Sequence, residues 1–275
     1  MSVRCGRCLG CQIDYSRDWA VRGSHEAAMN ELNCAVTLTY SERNLPADGA
    51  LDKEDLRLFF KNLRRNVGQF RYLACGEYGS AGPGHHPHYH VAVFGLDFDD
   101  KYFWTRTDAG SIQYRSPLLE AQWKLGNSTV GECNWQSIAY IARYITKKIR
   151  GDKKEDHYQG LPEEFITMST GREFPGGLGA EWFKKHFTDV YPDDFVFIDG
   201  KKYPVPRYYD KIYESMYPDA MKEIKRKRQE RAKQAVAAEE NIRSGKLRPE
   251  DVREECLAAR TSKLERNYED RTSSF

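Results

Sequence analysis

The apolar and polar positions of this chain predict short strands alternating with amphipathic helices. Residues 33–40 (Asn-Cys-Ala-Val-Thr-Leu-Thr-Tyr) form a run of high β propensity, and residues 70–77 and 88–94 form two more. A helix signal lies between the first two. Asp52 stands as an N-cap, and Leu56, Phe59, Phe60 and Leu63 follow at the spacing of one helix face. An earlier helix is expected over residues 13–30, where Trp19, Ala20, Ala27 and Ala28 fall at helix-compatible spacings. The order strand, helix, strand, strand is the start of a ferredoxin-like sandwich.

Further along, residues 97–116 are polar and turn-rich and predict a hairpin or loop. Pro117 suits the first turn of a short helix ending near residue 124, and residues 128–133 predict a strand. Asn134 caps a helix over 135–149, with Gly151 as its stop. Residues 151–179 are rich in Gly, Pro, Lys and Glu and predict a mobile loop with little helix or sheet. A short helix is expected at 181–186, and a hairpin on the Asp199-Gly200 turn at 195–203. From residue 218 the chain turns charged and poor in large apolar residues, with Gly245 and Pro249 dividing two helices. The fold class expected is α+β, a ferredoxin-like or RRM-like antiparallel sheet with flanking helices over residues 1–217. A charged helical extension follows over 218–275.

Composition narrows the class. The 275 residues are 40% hydrophobic and 31% charged, enough to bury a core in water. No long uncharged apolar run predicts a membrane span, and Arg4, Arg7 and Asp14 interrupt any resemblance to a secretion signal. Seven scattered cysteines, an odd number, fit reduced thiols better than a disulfide framework. The net charge of +2 identifies no partner, but basic residues are concentrated. Lys61, Arg64 and Arg65 lie on the outer side of one helix, and Lys225, Arg226, Lys227 and Arg228 open the extension.

Three constellations carry candidate chemistry. Side chains alternate along a strand, so His88 and His90 share a face. If the strands at 70–77 and 88–94 pair, Glu77 joins them, and two imidazoles with one carboxylate make an open three-ligand cation site. On the helix after Asn134, Tyr140, Tyr144 and Lys147 share a stripe at 100° per residue, apart from the stripe of Ile138, Ile141, Ile145 and Ile149. A tyrosine hydroxyl there can attack a phosphate beside the cation, with Lys147 balancing the developing charge. Finally, Cys5, Cys8 and Cys11 have the spacing of soft-metal ligands, one short of a closed zinc site. A tight turn with buried thiols explains them equally.

The combination resembles the HUH endonucleases. His88-Tyr89-His90 is similar to their His-hydrophobic-His motif, Glu77 to their third ligand, and Val36-Thr-Leu-Thr39 to their first-strand motif. Tyr140-x-x-x-Tyr144-x-x-Lys147 resembles the two-tyrosine motif of microvirus replication initiators of the gokushovirus type. Cys5-Gly-x-Cys-x-Gly-Cys11, Trp19-Ala-Val-Arg22 and the stretch 189–195 are also similar, and the likeness covers roughly residues 5–215. It implies a rolling-circle initiator that nicks single-stranded DNA at a viral origin through a 5′-phosphotyrosine and rejoins the strand. Mg²⁺ or Mn²⁺ would be the cofactor, with Zn²⁺ as a structural candidate. The setting implied is the bacterial host's cytoplasm, with host replication proteins as candidate partners and no membrane. Arg143, Lys148 and Lys225–Arg228 would contact DNA. Two rival readings stand beside this one: a zinc-dependent hydrolase, and a non-catalytic nucleic-acid-binding module.

Overall fold

The computed structural model describes residues 5–6, 8–78, 86–107, 110–147, 153–171, 173–191, 193–241 and 255–259. The elements run α1 (Leu9–Ala27), β1 (Asn33–Tyr40), α2 (Lys53–Val67), β2 (Arg71–Glu77), β3 (His88–Phe94), β4 (Tyr102–Arg106), β5 (Ile112–Arg115), α3 (Pro117–Gln122), β6 (Gly126–Glu132), α4 (Trp135–Lys147), α5 (Lys153–Tyr158), β7 (Phe165–Met168), α6 (Ala180–Val190), β8 (Phe195–Ile198), β9 (Lys201–Pro204), α7 (Arg207–Met216) and α8 (Pro218–Asn241). The fold class is α+β.

Local chemistry accounts for the boundaries. Asp52 accepts the Glu54 N–H at 2.7 Å and so caps α2, which ends where Gly68 takes φ 87°. Ser116 caps α3 by accepting the Leu119 N–H at 3.1 Å, with Pro117 in the first turn. Asp199 and Gly200 take φ 49° and 71°, the left-handed pair that closes the β8–β9 hairpin.

Seven strands form one sheet in the order β4-β5-β6-β1-β3-β2-β7, and every pairing in it is antiparallel. Its centre, β6-β1-β3-β2, has the strand order of a ferredoxin-like sandwich. The crossovers carry α2 and α3, which pack together over one face. Val36, Leu38, Tyr89, Val91 and Val130 from the sheet meet Leu56, Phe59, Leu119 and Trp123 there. Helices α1 and α4 bring Trp19, Ala20, Ile138 and Ile141 against Leu73, Ala92 and Phe94 of the other face. Each such fully buried large side chain contributes roughly 1.5–3 kcal/mol. The helices approach closely at Gly23, where a Cβ would stand 2.6 Å from Ile138 Cγ2. The Trp19–Arg22 stretch serves this packing: the Arg22 guanidinium lies 4.0 Å over the Trp19 ring, and its Nε donates to Leu178 O at 3.0 Å.

The expectation of a loop over residues 151–179 is corrected. Within it α5 forms, and β7 pairs with β2 as the sheet's edge strand, Leu73 opposite Met168 and Gly76 opposite Phe165. Phe165 packs toward one core and Ile166 and Met168 toward the other, so this tetrad is held by tertiary contact rather than by a long local signal. Residues 97–116 resolve into the β4–β5 hairpin. Gly151, Gly245 and Pro249 lie outside the described residues.

The chain divides into two compact units, one through Trp182 and one from Phe183 onward. Residue 217, the expected end of the first domain, falls inside the second unit, between α7 and α8. Phe183 and Tyr209 stack within that unit with centroids 4.7 Å apart, and Met221 and Ile224 of α8 are buried.

Candidate active site

Strand β3 carries His88 and His90 on one face, and its neighbours set what surrounds them. In β1, Thr39 stands opposite His88 and Thr37 opposite His90. Each threonine hydroxyl meets the facing ring: Thr39 Oγ1 is 3.0 Å from His88 Nδ1, and Thr37 Oγ1 is 3.1 Å from His90 Nδ1. With Nδ1 engaged, Nε2 is the coordinating edge of each ring. On the other side β2 brings Glu77 opposite His88, yet its Oε1 reaches His90 Nε2 at 2.7 Å.

The electrostatics follow from burial and contact. Desolvation would raise the Glu77 carboxyl, but hydrogen bonds from His90, Tyr144 and Tyr140 outweigh it and hold the group below the usual carboxylate range. Burial, with the neighbouring charge of His90, pushes His88 down to about 4. At neutral pH its imidazole is therefore uncharged, the form that ligates metal.

Helix α4 delivers the tyrosines. Asn134 Oδ1 accepts the Ser137 N–H at 3.0 Å, and Ser137 Oγ accepts the Asn134 N–H at 2.9 Å, a reciprocal cap that sets the helix start. Ile138 and Ile141 are buried against α1 and the sheet. The next stripe turns Tyr140 and Tyr144 onto the histidine face. Tyr140 Oη donates to Glu77 Oε1 at 2.8 Å, lies 3.2 Å from His90 Nε2, and is in hydrogen-bond contact with Tyr144 Oη. The Tyr140 ring meets His90 edge-on at 4.9 Å, while that of Tyr144 lies parallel to it at 6.1 Å. Both hydroxyls thus converge on one carboxylate and one imidazole. Arg143 is half-buried on the same helix, and the side chain of Lys147 and all of Lys148 lie outside the described residues.

Two nitrogens and a carboxylate oxygen on a half-buried sheet face suit a hard or borderline divalent ion. In the described geometry Glu77 and His90 touch directly, and the His88 ring stands 6.4 Å from that of His90. Among the described residues, the three potential ligand atoms that lie within 4.8 Å of one another are those of Cys5, Cys8 and Cys11.

The remaining candidates divide. Lys225 pairs with Glu214 at 2.5 Å, Arg226 with Glu223 at 2.6 Å and also with Glu230, and Arg228 with Asp194 and Asp210 at 2.5 and 2.7 Å. Lys227 is exposed. A basic surface that the sequence pattern marks only as a helix's outer side is a groove of about 590 Å³ between α2 and β7. Lys53, Arg57, Lys61, Arg64 and Arg65 line it around Phe60, Tyr72 and Phe165. The β4–β5 hairpin exposes Tyr102, Phe103 and Trp104, with the Arg115 guanidinium 4.9 Å over the Trp104 ring. The density of aromatics between residues 97 and 116 was the available signal for it.

The family model for Replication-associated protein ORF2 matches residues 33–149, from the start of β1 to just past the described end of α4. The chain is 34% identical over 253 residues to Replication-associated protein ORF2 of Spiroplasma virus 4, covering 86% of this chain and 75% of that one. It is 28% identical over 225 residues to Replication-associated protein VP4 of Bdellovibrio phage phiMH2K, covering 78% and 68%. Against Replication-associated protein ORF4 of Chlamydia phage 1 it is 31% identical over 221 residues, covering 74% and 52%. No solved structure matches. Among the described residues, no helix is long and apolar enough to cross a membrane.

Proposed function

We propose that this chain, which belongs to the ORF2 family of replication-associated proteins, initiates phage DNA replication by nicking single-stranded DNA through a tyrosine nucleophile. Family membership carries the coarse role in replication. The chemistry rests on one observation, the convergence of the Tyr140 and Tyr144 hydroxyls on Glu77 and His90.

A tyrosine hydroxyl ionises near pH 10 in water and attacks poorly unless its proton has somewhere to go. Glu77 Oε1, 2.8 Å away, orients the Tyr140 hydroxyl and accepts its proton as the bond from Oη to phosphorus forms. The bond from phosphorus to the 3′ oxygen breaks, and the departing oxygen takes a proton from solvent. The product is a 5′-phosphotyrosine that keeps the energy of the broken ester for rejoining. Glu77, His88 and His90 would hold Mg²⁺ or Mn²⁺, whose charge polarises the phosphate. Lys147, one turn beyond the tyrosines, is the candidate to balance charge developing on phosphorus. The exposed aromatics of the β4–β5 hairpin offer stacking surfaces for unpaired bases, and the groove along α2 offers cations for the backbone.

The test is an end-labelled origin oligonucleotide incubated with protein and Mn²⁺, then denatured and separated by gel. Label migrating with the protein is expected. Cleavage products without any protein-linked label would replace this mechanism with hydrolysis by water.

A further inference from the structure

We propose that Cys5, Cys8 and Cys11 bind one zinc ion through three thiolates, at a site separate from the histidine face. The three sulfurs lie within 4.8 Å of one another. Zinc–thiolate bonds are about 2.3 Å, so two sulfurs on one tetrahedral ion should stand about 3.8 Å apart. Cys5 Sγ and Cys11 Sγ are 3.9 Å apart. Sequence and backbone explain how this arises. Cys8 is the N-cap of α1 and Cys11 lies three residues on, so both fall on one side of the helix. Gly6 takes φ 71°, which folds the preceding turn back and lets the Cys8 N–H donate to Cys5 Sγ at 3.2 Å.

The position also suits the charge. Three thiolates and one Zn²⁺ carry a net −1, and they sit at the positive end of a 19-residue helix with no acidic residue in its first turn. Thiolates select zinc over the hard ions that suit Glu77, His88 and His90. An iron–sulfur cubane spreads its cysteines over separate irons, so three sulfurs clustered this tightly match a single ion instead. The fourth position faces outward, because Cys5 and Cys8 are exposed, and water or a partner's side chain can fill it. The ion would tie the entry turn to α1, the helix against which α4 packs.

The experiment uses the full chain purified in a non-thiol reductant, with metal content measured by mass spectrometry. About one zinc per chain is expected. It should persist in a His88→Ala/His90→Ala variant and disappear from Cys5→Ser/Cys8→Ser/Cys11→Ser. Circular dichroism checks that the serine variant folds. If it does not, Cys11→His supplies the second measurement: it should retain zinc and, loaded with Co²⁺, show a weaker thiolate-to-cobalt band than the parent. Zinc retained by a folded triple-serine variant would overturn the proposal. So would iron with sulfide absorbance, or a parent protein that binds neither zinc nor cobalt through sulfur.

Discussion

Thr37 and His90 face each other across the β1–β3 ladder, with the threonine hydroxyl 3.1 Å from the ring's Nδ1. Thr39 repeats the relation with His88 at 3.0 Å. A ring held at one nitrogen presents the other at a fixed angle, and losing such support typically costs about 10–100-fold in metal affinity or activity. Thr37→Val keeps the shape and removes the hydroxyl. It should shift the Mn²⁺ requirement for adduct formation upward by about tenfold or more, with an unchanged circular dichroism spectrum, and Thr37→Ser should recover most of it. An unmoved Mn²⁺ titration would mean that packing alone orients the ring.

Much of this arrangement was legible because its signals are local. β1 and β3 begin and end where β propensity does, Asp52 and Asn134 cap as their side chains allow, and the two stripes of α4 separate by helical phase alone. What was hidden depends on partners distant in sequence. The threonine supports require the register between strands some fifty residues apart, which no local pattern encodes. β7 is four residues long inside a glycine- and proline-rich stretch, and exists because Phe165, Ile166 and Met168 find two cores. The run Lys225–Arg228 reads as a phosphate binder until Asp194 and Asp210 are brought to Arg228 by folding. α1 starts at Leu9, earlier than expected, because Cys8 occupies the cap.

His88 makes the fold sensitive to acid. Its ring is pushed down to about 4 by burial, against an ordinary value of 6.5. The unfolded chain therefore binds this proton more readily than the folded one between those values. The stability contribution is complete above about pH 6.5, is lost as pH falls, and is exhausted near pH 4. A shift of about two and a half units corresponds to at most about 3 kcal/mol. Urea unfolding in EDTA at pH 7 and pH 4.5 should show a smaller drop for His88→Gln than for the parent. Equal drops would place the acid sensitivity elsewhere.

Arg228 belongs to the scaffold of the second unit. Its guanidinium bridges Asp194, whose side chain is 8% exposed, and Asp210, which also accepts from Tyr191 Oη at 2.5 Å. Arg228→Ala would leave two carboxylates without their cation, at a cost of about 2–3 kcal/mol. Arg228→Lys should recover little, since a point charge cannot span both partners. Lys227→Ala should change stability by less than about 0.5 kcal/mol. Denaturant unfolding of the three variants checks the ranking, and equal midpoints would return Arg228 to the exposed charges.

The groove along α2 predicts a salt signature. Each phosphate neutralised on single-stranded DNA contributes a slope of roughly 0.7 in log affinity against log salt. If Lys61 and Arg65 each contact one, the Lys61→Ala/Arg65→Ala variant should bind an oligonucleotide with a slope shallower by about 1.4. Cleavage of DNA bound at saturation should continue, because neither residue is part of the tyrosine site. Fluorescence anisotropy at several salt concentrations measures this, and an unchanged slope would mark the groove as a solvated face.

The tyrosine pair allows the sharpest test. Tyr140 and Tyr144 are four residues apart, about 6 Å along the helix axis, and their hydroxyls meet beside Glu77. One nucleophile suffices to nick. Ending one round of replication while starting another requires a second acceptor, because the first is then esterified to DNA. Tyr140→Phe and Tyr144→Phe should each retain adduct formation, and the double variant should lose it entirely. The two single variants need not be equal. Tyr140 has its proton acceptor at 2.8 Å and its hydroxyl also contacts His90, so Tyr140→Phe should lower the adduct rate more. Strand rejoining, assayed by transfer of labelled DNA to a second oligonucleotide, should fail in both single variants if transfer alternates between the hydroxyls. Full rejoining by either single variant would reduce the mechanism to one tyrosine and leave the other as a hydrogen-bond support.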